Sequence, residues 1–131
     1  AGDCRNLPFA DKSKDALIVQ GGLHHLPLLP DDLDKTLAQI HRVLKKDGRL
    51  MLVEPWSTPF LTAVHFISEI PLVRRLSNKM DAFATMYEFE HQTYDQWLSH
   101  PAMIRKLVYA RFVPIHESFS WGKWCFVGRP I

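Results

Sequence analysis

The stretch "DALIVQGGLHHLPLLPDDLDKTLAQIHRVLKKDGRLMLVEP", residues 15–55, holds two apolar runs on either side of an amphipathic segment. Residues 16–19 form a continuous apolar run and residues 49–55 have the same character, which is typical of parallel strands that are covered on both faces. Between them, apolar residues recur at helical spacing, at Leu33, Leu37, Ile40 and Leu44. Aspartates open that segment, lysines occupy its last turn and Gly48 follows it, which predicts a capped helix. Strand, helix and strand together predict a right-handed βαβ crossover.

The residues after Pro55 are rich in aromatic side chains and are interrupted by prolines. We predict a helical insertion over 57–111. Its helical stretches are expected at about 57–70, 80–100 and 101–111.

The C-terminal residues contain two β-rich runs around a turn signal. The runs at 113–120 and 123–129 flank Gly122-Lys123, which predicts an antiparallel hairpin. We expect this hairpin to lie beside the strand at 49–54. That strand should in turn run parallel to a strand at 15–21.

The composition is that of a soluble globular protein. The 131 residues are 47% hydrophobic and 23% charged, with a formal net charge of +2, which suits a single domain. Lysines and arginines are scattered and form no stripe interleaved with aromatic residues, so nucleic acid is not an expected partner. No apolar run approaches the roughly 18 residues of a membrane span, and we expect no basic-then-apolar leader.

The cysteines Cys4 and Cys125 lie near opposite ends of the chain and form no CxxC motif. They are expected to be free thiols in a reducing compartment, with a disulfide between them as the alternative. Together with the lack of a leader, this usage predicts a cytoplasmic protein.

A series of short motifs occurs in a defined order along the first part of the chain. The motifs are Gly2-Asp3-Cys4, Leu7-Pro8-Phe9 followed by Ser13 and Asp15, Leu23-His24-His25, and Arg42-Val43-Leu44-Lys45. In this order they resemble the second half of class I S-adenosylmethionine-dependent methyltransferases, the group related to methyltransferase type 11 and ubiquinone/menaquinone-biosynthesis enzymes. The resemblance implies an α/β fold, a partial Rossmann-like sheet with a C-terminal antiparallel hairpin. It also implies S-adenosylmethionine as cofactor and a small molecule as methyl acceptor.

The sequence departs from that family at the glycine-rich first loop, which has no counterpart here. Its Gly-Gly pair, Gly21-Gly22, follows a different strand. We therefore expect residues 1–131 to form one methyltransferase-like domain that is truncated at its N-terminus and that binds S-adenosylmethionine weakly or not at all by itself. Residues 57–111 would form the acceptor-binding lid of that domain.

The resemblance assigns cofactor binding to two short segments. Asp3 would accept a hydrogen bond from the adenine amino group, beside the Cys4 amide, and the alternative is an aspartate that caps a loop or helix. Val19, Gln20 and Gly21 would meet the cofactor's ammonium group and sulfonium region, at the edge where open α/β sheets bind ligands. Alternatively, the glycines only free the chain to leave the sheet.

His24 and His25 follow the first predicted strand. Adjacent residues on an extended chain point to opposite sides, so a shared metal ion is not expected and no metal is predicted. One imidazole is expected to pack inward, and the other would face the acceptor as a general base. We assign His24 to the acceptor side, because the family's commoner histidine stands at the position of His25. The alternative is a pair of structural histidines.

Glu54 and Trp56 end the second predicted strand and so would line the same rim and bind the acceptor. The alternative for the Glu54 carboxylate is that it caps the next helix. An apolar lid would draw on aromatic residues that mostly belong to the core: Phe60, Phe66, Phe83, Tyr87, Phe89, Tyr94 and Trp97. Trp121 and Trp124 flank the hairpin turn and are expected to pack rather than bind.

Two functions of different classes follow from these observations. The first is methyl transfer from S-adenosylmethionine to a small-molecule oxygen, nitrogen or carbon, by an enzyme or a part of one, with catalysis resting on alignment. The second is a non-catalytic module that self-associates or is completed by another chain through the exposed edge of the 15–21 strand. Hydrolase chemistry is not expected, because neither G-x-S-x-G nor HExxH occurs.

Overall fold

The predicted βαβ unit is present in the structure, a computed structural model that describes residues 2–131. Strand β1 spans Lys14–Gln20, helix α1 spans Asp31–Val43 and strand β2 spans Leu44–Pro55. Strands β1 and β2 are parallel neighbours, as expected. Aspartates occupy the first turn of α1, where carboxylates interact favourably with the helix dipole.

The predicted C-terminal end of α1 is wrong. The helix ends at Val43 because Leu44, which is 2% exposed, already belongs to β2 and to the core. Residues 45–48 therefore lie in β2, where the register against β1 shifts, rather than in a last helical turn and a cap. An ion pair of 2.7 Å joins Lys45 to Asp15 across the two strands.

The C-terminal hairpin pairs as predicted. Strand β3 spans Phe112–Ser120 and strand β4 spans Lys123–Pro130, and β4 also pairs antiparallel with β2. Across residues 2–131 the strand order is β1-β2-β4-β3. The turn lies one residue earlier than predicted, at Trp121 and Gly122, whose φ angles are +53° and +75°. Such angles at both central residues are what a two-residue hairpin of right-handed twist requires.

The segment between β2 and β3 is helical, as predicted. Its helices are α2 (Pro59–Ser68), α3 (Pro71–Leu76), α4 (Asn78–Ser99) and α5 (Pro101–Tyr109). The sequence patterns did not separate α3, a short helix that begins at a proline, from the end of α2. In the part of the chain that the structure describes, every helix is too short or too polar to cross a bilayer.

The core lies on one face of the sheet. Leucines and an isoleucine of α1 pack there with residues of β2 and β4: Leu33, Leu37, Ile40, Leu50, Leu52, Trp124 and Phe126. The expectation that the first strand is covered on both faces is wrong for residues 2–131, because the exposure of β1 alternates and Ile18 is 68% exposed. Strand β1 is also an edge strand, since its only strand partner among these residues is β2.

Candidate active site

A cavity of about 470 Å³ opens where β1 and β2 end, under helices α2 and α4 and beside the hairpin turn. We call it the strand-end cavity. Its apolar lining includes Phe60, Leu61, Met80, Phe83, Tyr94 and Trp121. The polar side chains on its wall are Gln20, His24, Glu54, Lys79 and Lys123. A mostly apolar cavity of this size with a few polar groups is typical of a small-molecule site.

Glu54, the penultimate residue of β2, is 1% exposed and holds the turn that follows β1. Its Oε1 accepts hydrogen bonds from the Gly22 and Leu23 amides, both at 2.9 Å. Its Oε2 accepts from the His24 amide at 3.4 Å and lies 2.9 Å from His24 Nδ1. The carboxylate thus satisfies the otherwise unpaired donors at the start of the 3₁₀ helix Leu23–His25. Glu54 was expected to contact the acceptor, but in the structure both of its oxygens are engaged by this turn.

His24 is 7% exposed and lines the strand-end cavity. Because an ionised carboxylate only accepts hydrogen bonds, we assign the proton of its ring to Nδ1, which donates to Glu54. Nε2 then carries the free lone pair. The ring of Tyr94 lies edge-on at 5.8 Å between centroids and limits its rotation. The inward and the acceptor-facing roles were expected of different histidines, whereas His24 is both buried and part of the wall of the strand-end cavity.

The two histidines do not point to opposite sides of the chain. Their ring centroids are 4.0 Å apart, with planes tilted by 37°. The expectation is wrong because Leu23–His25 is a 3₁₀ helix, in which successive side chains are separated by about 120° rather than by the 180° of a strand. The His25 side chain is 45% exposed and faces Glu90 of α4, with Nδ1 and Oε2 3.9 Å apart.

Asp3 and Cys4 lie against the first half of α1, which begins near the same edge of the sheet. The Asp3 carboxylate is exposed and receives hydrogen bonds from the Arg5 guanidinium, at 3.0 Å from Nε and 2.9 Å from Nη2. These hydrogen bonds hold the pKa of Asp3 below its usual value. Arg5 also binds Asp32 of α1 at 3.2 Å, and Cys4 Sγ lies 3.6 Å from Thr36 Oγ1.

Of the three predicted cofactor residues at the end of β1, two line the strand-end cavity. Gln20 is exposed and lines it, together with Gly21. Gly21 has a φ of +59°, a conformation that side chains disfavour, and its amide donates to Val53 at 2.8 Å. The Val19 side chain packs against the core, so only its main chain faces this edge.

Trp56 is placed in an aromatic cluster rather than on the cavity wall. Its ring lies 4.9 Å from Trp124 and 5.4 Å from Phe119, centroid to centroid. Trp97, fully buried, donates its indole hydrogen to the Pro55 carbonyl at 2.9 Å. This cluster fixes the direction in which the chain leaves β2.

The predicted lid aromatics divide into three groups. Phe60, Phe83 and Tyr94 line the strand-end cavity. Trp97 belongs to the core, and Tyr87 donates to the carboxylate of Asp95 at 3.0 Å. Phe66 and Phe89 are 71% and 85% exposed. Burial raises the pKa of Tyr94 to about 12, which keeps its phenol protonated at neutral pH.

Several residues on the cavity wall were not predicted from the sequence. Trp121 was expected to pack, yet it is 74% exposed and lines the mouth with its ring 5.0 Å from that of Phe60. Lys79, Met80 and Lys123 carried no motif. One sequence signal could have indicated the role of Trp121: a tryptophan at a hairpin turn need not be buried in the core and is free to line a surface cavity.

Comparison with known protein families gives a match at the start of the chain. Residues 1–52 match the model of the methyltransferase domain. A demethylmenaquinone methyltransferase from Streptomyces avermitilis is 29% identical over 113 residues, which cover 82% of this chain and 46% of that protein. The chain thus spans less than half the length of this curated relative.

Solved structures share the fold over nearly the whole chain. A protein from Pyrococcus horikoshii aligns with a TM-score of 0.63 at 18% identity, covering 99% of this chain and 57% of that one. An S-adenosylmethionine-dependent methyltransferase from Methanosarcina mazei aligns with a TM-score of 0.60 at 15% identity, covering 99% of this chain and 65% of that one. At these identities the likeness concerns the fold.

Proposed function

Because this chain is related by sequence and fold to the class I S-adenosylmethionine-dependent methyltransferases, we propose that it forms the acceptor-binding part of an enzyme that methylates a small molecule. The observation that carries the proposal is the His24–Glu54 pair, which opens onto the strand-end cavity at the carboxyl ends of two parallel strands. This is the edge at which open α/β sheets bind ligands.

The residues at this edge fit S-adenosylmethionine in their chemistry. Asp3 offers an exposed carboxylate for an amino group, although Arg5 occupies it and would have to share it. Gln20 is exposed and Gly21 leaves room for close approach to the backbone. Asp3, Cys4, Val19, Gln20 and Gly21 are therefore our candidates for holding the cofactor.

The acceptor would lie in the strand-end cavity. Its apolar wall suits a flat or hydrocarbon-rich molecule, such as the demethylmenaquinone in the name of the Streptomyces relative. We assign the lid to the helical segment 57–111, because α2 and α4 supply Phe60, Leu61, Met80 and Phe83 to the wall. A closed apolar wall excludes water and strengthens polar interactions within.

When bound, S-adenosylmethionine supplies an activated methyl group on sulfur. The residues of this chain then have two tasks, alignment of the acceptor and removal of its proton. Nε2 of His24 is placed to take a proton from an acidic acceptor, and Glu54 stabilises the resulting imidazolium through Nδ1. We therefore assign Glu54 as a positioning residue. Trp56 does not contact the acceptor in this proposal; its ring packs against Trp124 and so supports the wall of the sheet beside the strand-end cavity.

His24→Gln tests this proposal. The measurement is transfer of tritium from labelled S-adenosylmethionine to a panel of apolar phenols and quinols, with this chain and with a longer polypeptide that contains it. Loss of the base should lower kcat by roughly a hundredfold or more, with little change in the KM for S-adenosylmethionine. His41→Gln is the matched control, because His41 lies on α1 and contacts the Ile131 carbonyl instead of the strand-end cavity. Equal effects of the two substitutions, or absence of transfer by both polypeptides, would contradict the proposal.

A second candidate function is association without catalysis, and the unpaired edge of β1 favours it. In the described residues β1 has a strand partner on one side only, and its open face carries Ile18. Exposed strand edges bind other strands. We propose a second copy of this chain as the partner.

A further inference from the structure

We propose that His24, His25 and Glu90 form a binding site for one divalent transition-metal ion, of which Zn²⁺ is the type example. Each of these side chains offers one ligand atom, and the three atoms lie within 4.8 Å of one another. The site joins the 3₁₀ helix Leu23–His25 to α4, two elements that pack against each other. Neither histidine spacing nor family resemblance pointed to it, because it depends on a contact between distant parts of the chain.

The first ligand is already oriented. His24 Nδ1 lies 2.9 Å from Glu54 Oε2, so Nε2 is the nitrogen left to bind a ligand. A carboxylate that fixes the far nitrogen of a metal-binding histidine is the usual arrangement in protein zinc sites, where it sets the tautomer and raises the basicity of the ligand. Here Glu54 is fully buried and is itself held by the Gly22 and Leu23 amides.

The other two ligands can move to the metal. The side chains of His25 and Glu90 are 45% and 34% exposed, and the distance from Nδ1 to Oε2 is 3.9 Å. A tetrahedral ion with ligands at about 2.0 to 2.2 Å requires ligand atoms about 3.3 to 3.6 Å apart. The widest pair among the three ligand atoms is at most 4.8 Å apart, so side-chain rotations that bring ligand atoms closer by up to about 1.5 Å complete the site. The exposed side of the site leaves a position for water and a path of entry.

The donor set selects the class of metal. Two imidazole nitrogens and one carboxylate oxygen match zinc sites with three protein ligands. Nitrogen ligands disfavour Mg²⁺ and Ca²⁺, which prefer oxygen, and favour Zn²⁺, Cu²⁺ and Ni²⁺.

The effect of metal occupancy on the reaction rests on the proposed function. A metal ion on Nε2 occupies the lone pair that would otherwise take the acceptor's proton. Zinc should therefore inhibit methyl transfer in proportion to its occupancy of the site. Binding itself does not depend on catalysis.

The test is a Zn²⁺ titration of the 131-residue chain at neutral pH, by calorimetry and by competition with a chromophoric chelator. We expect one equivalent to bind, and His25→Ala and Glu90→Gln each to weaken binding by at least about tenfold. His91→Ala is the matched control, because His91 is the exposed neighbour of Glu90 on α4 and lies outside the cluster. Circular dichroism checks that each variant folds, which is expected because His25, Glu90 and His91 are not core residues.

Two results would overturn the site: no binding by the folded chain, or an equal loss of affinity in the control. Substitution of Co²⁺ adds a spectroscopic readout, since visible absorption bands of a nitrogen- and oxygen-ligated ion should appear with the chain and disappear with His25→Ala. If Zn²⁺ binds as expected without inhibiting transfer, the metal site is confirmed and the base role of His24 fails. If methyl transfer depends on His24 while Zn²⁺ does not bind, the base role of His24 is supported and the metal site is excluded.

Discussion

At the scale of single residues, Glu54 connects the fold to the candidate chemistry. Its buried carboxylate binds three amides of the turn after β1 and the ring of His24. A carboxylate removed from water costs free energy unless such donors surround it. The cost of burying this carboxylate is offset by its hydrogen bonds, and the hydrogen bond to Nδ1 orients the ring of His24.

Glu54→Gln should lower the free energy of unfolding by about 1 to 3 kcal/mol, the usual cost of leaving buried partners unsatisfied. The amide group keeps one acceptor oxygen and places an N–H group where His24 Nδ1 or a backbone amide donates. Urea unfolding followed by circular dichroism measures the change. Glu69→Gln is the control, because Glu69 is exposed; a variant at position 54 that is as stable as the control would contradict the assigned role.

His65 of α2 gives the chain a pH dependence of its own. In the described residues its Nε2 is buried without a hydrogen-bond partner, and burial lowers the pKa of the ring from its usual 6.5. Asp95 and Glu69 oppose that shift by their charges. Below pH 6.5 the unfolded chain then binds more protons at this position than the folded chain.

The contribution of His65 to stability is therefore complete above pH 6.5 and is lost as the pH falls through the lowered pKa. We expect the urea midpoint to drop between pH 7.5 and pH 5, and the drop to be smaller in His65→Phe, which cannot titrate. His116→Phe serves as the comparison, since His116 is exposed on β3. Identical pH profiles for both variants and the parent chain would exclude this role of His65.

At the scale of elements, the hairpin turn joins the sheet to the strand-end cavity. Gly122 has a φ of +75°, and an added Cβ would lie 3.1 Å from the side chain of Leu61, a residue of α2 that lines the cavity. The turn conformation and the position of α2 are thereby linked. A side chain at this glycine would disturb both.

Gly122→Ala should lower stability by about 1 to 2 kcal/mol, because a non-glycine residue at positive φ is strained and the new methyl group displaces Leu61. Thermal unfolding provides the measurement. Gly2→Ala is the matched control, since its Cβ would meet no atom closer than 4.0 Å. A loss at position 122 no larger than at position 2 would show that α2 moves aside freely.

Most, but not all, of the helices and strands were predicted from local sequence patterns. The periodicities of 15–55 predicted β1, α1 and β2, and the turn signal predicted the β3–β4 hairpin. The end of α1 and the separate helix α3 were not predicted. At the end of α1, core burial of Leu44 outweighed the helical pattern. Helix α3 has 6 residues, fewer than the window of about 11 to 18 residues over which helical periodicity is recognised.

At the scale of the whole molecule, the sheet is covered on one face and β1 is its edge among residues 2–131. The Ile18 side chain is 68% exposed on the open face, whereas Val19 packs on the core. Neither proline nor a charged residue interrupts residues 16–19. The edge therefore lacks the usual protection against pairing with another strand.

We expect the chain to form dimers at high micromolar concentration through antiparallel pairing of two β1 edges. Ile18→Lys should shift sedimentation toward the monomer, because two lysines would face each other across the pair. Phe89→Lys is the control, since Phe89 is 85% exposed on α4, away from β1. A monomeric parent chain, or equal shifts for both lysine variants, would count against association through this edge.

The sequence by itself determined the βαβ unit, the helical segment, the hairpin and the methyltransferase resemblance, because each depends on residues close together in the chain. Only the tertiary structure decided that Glu54 orients His24, that His25 meets Glu90, and that Trp121 rather than Trp56 reaches the strand-end cavity. These contacts join residues that are far apart in sequence. Hydrophobic periodicity reports which face of an element is buried, whereas the partner of a polar side chain depends on how complete elements pack, which no local pattern encodes.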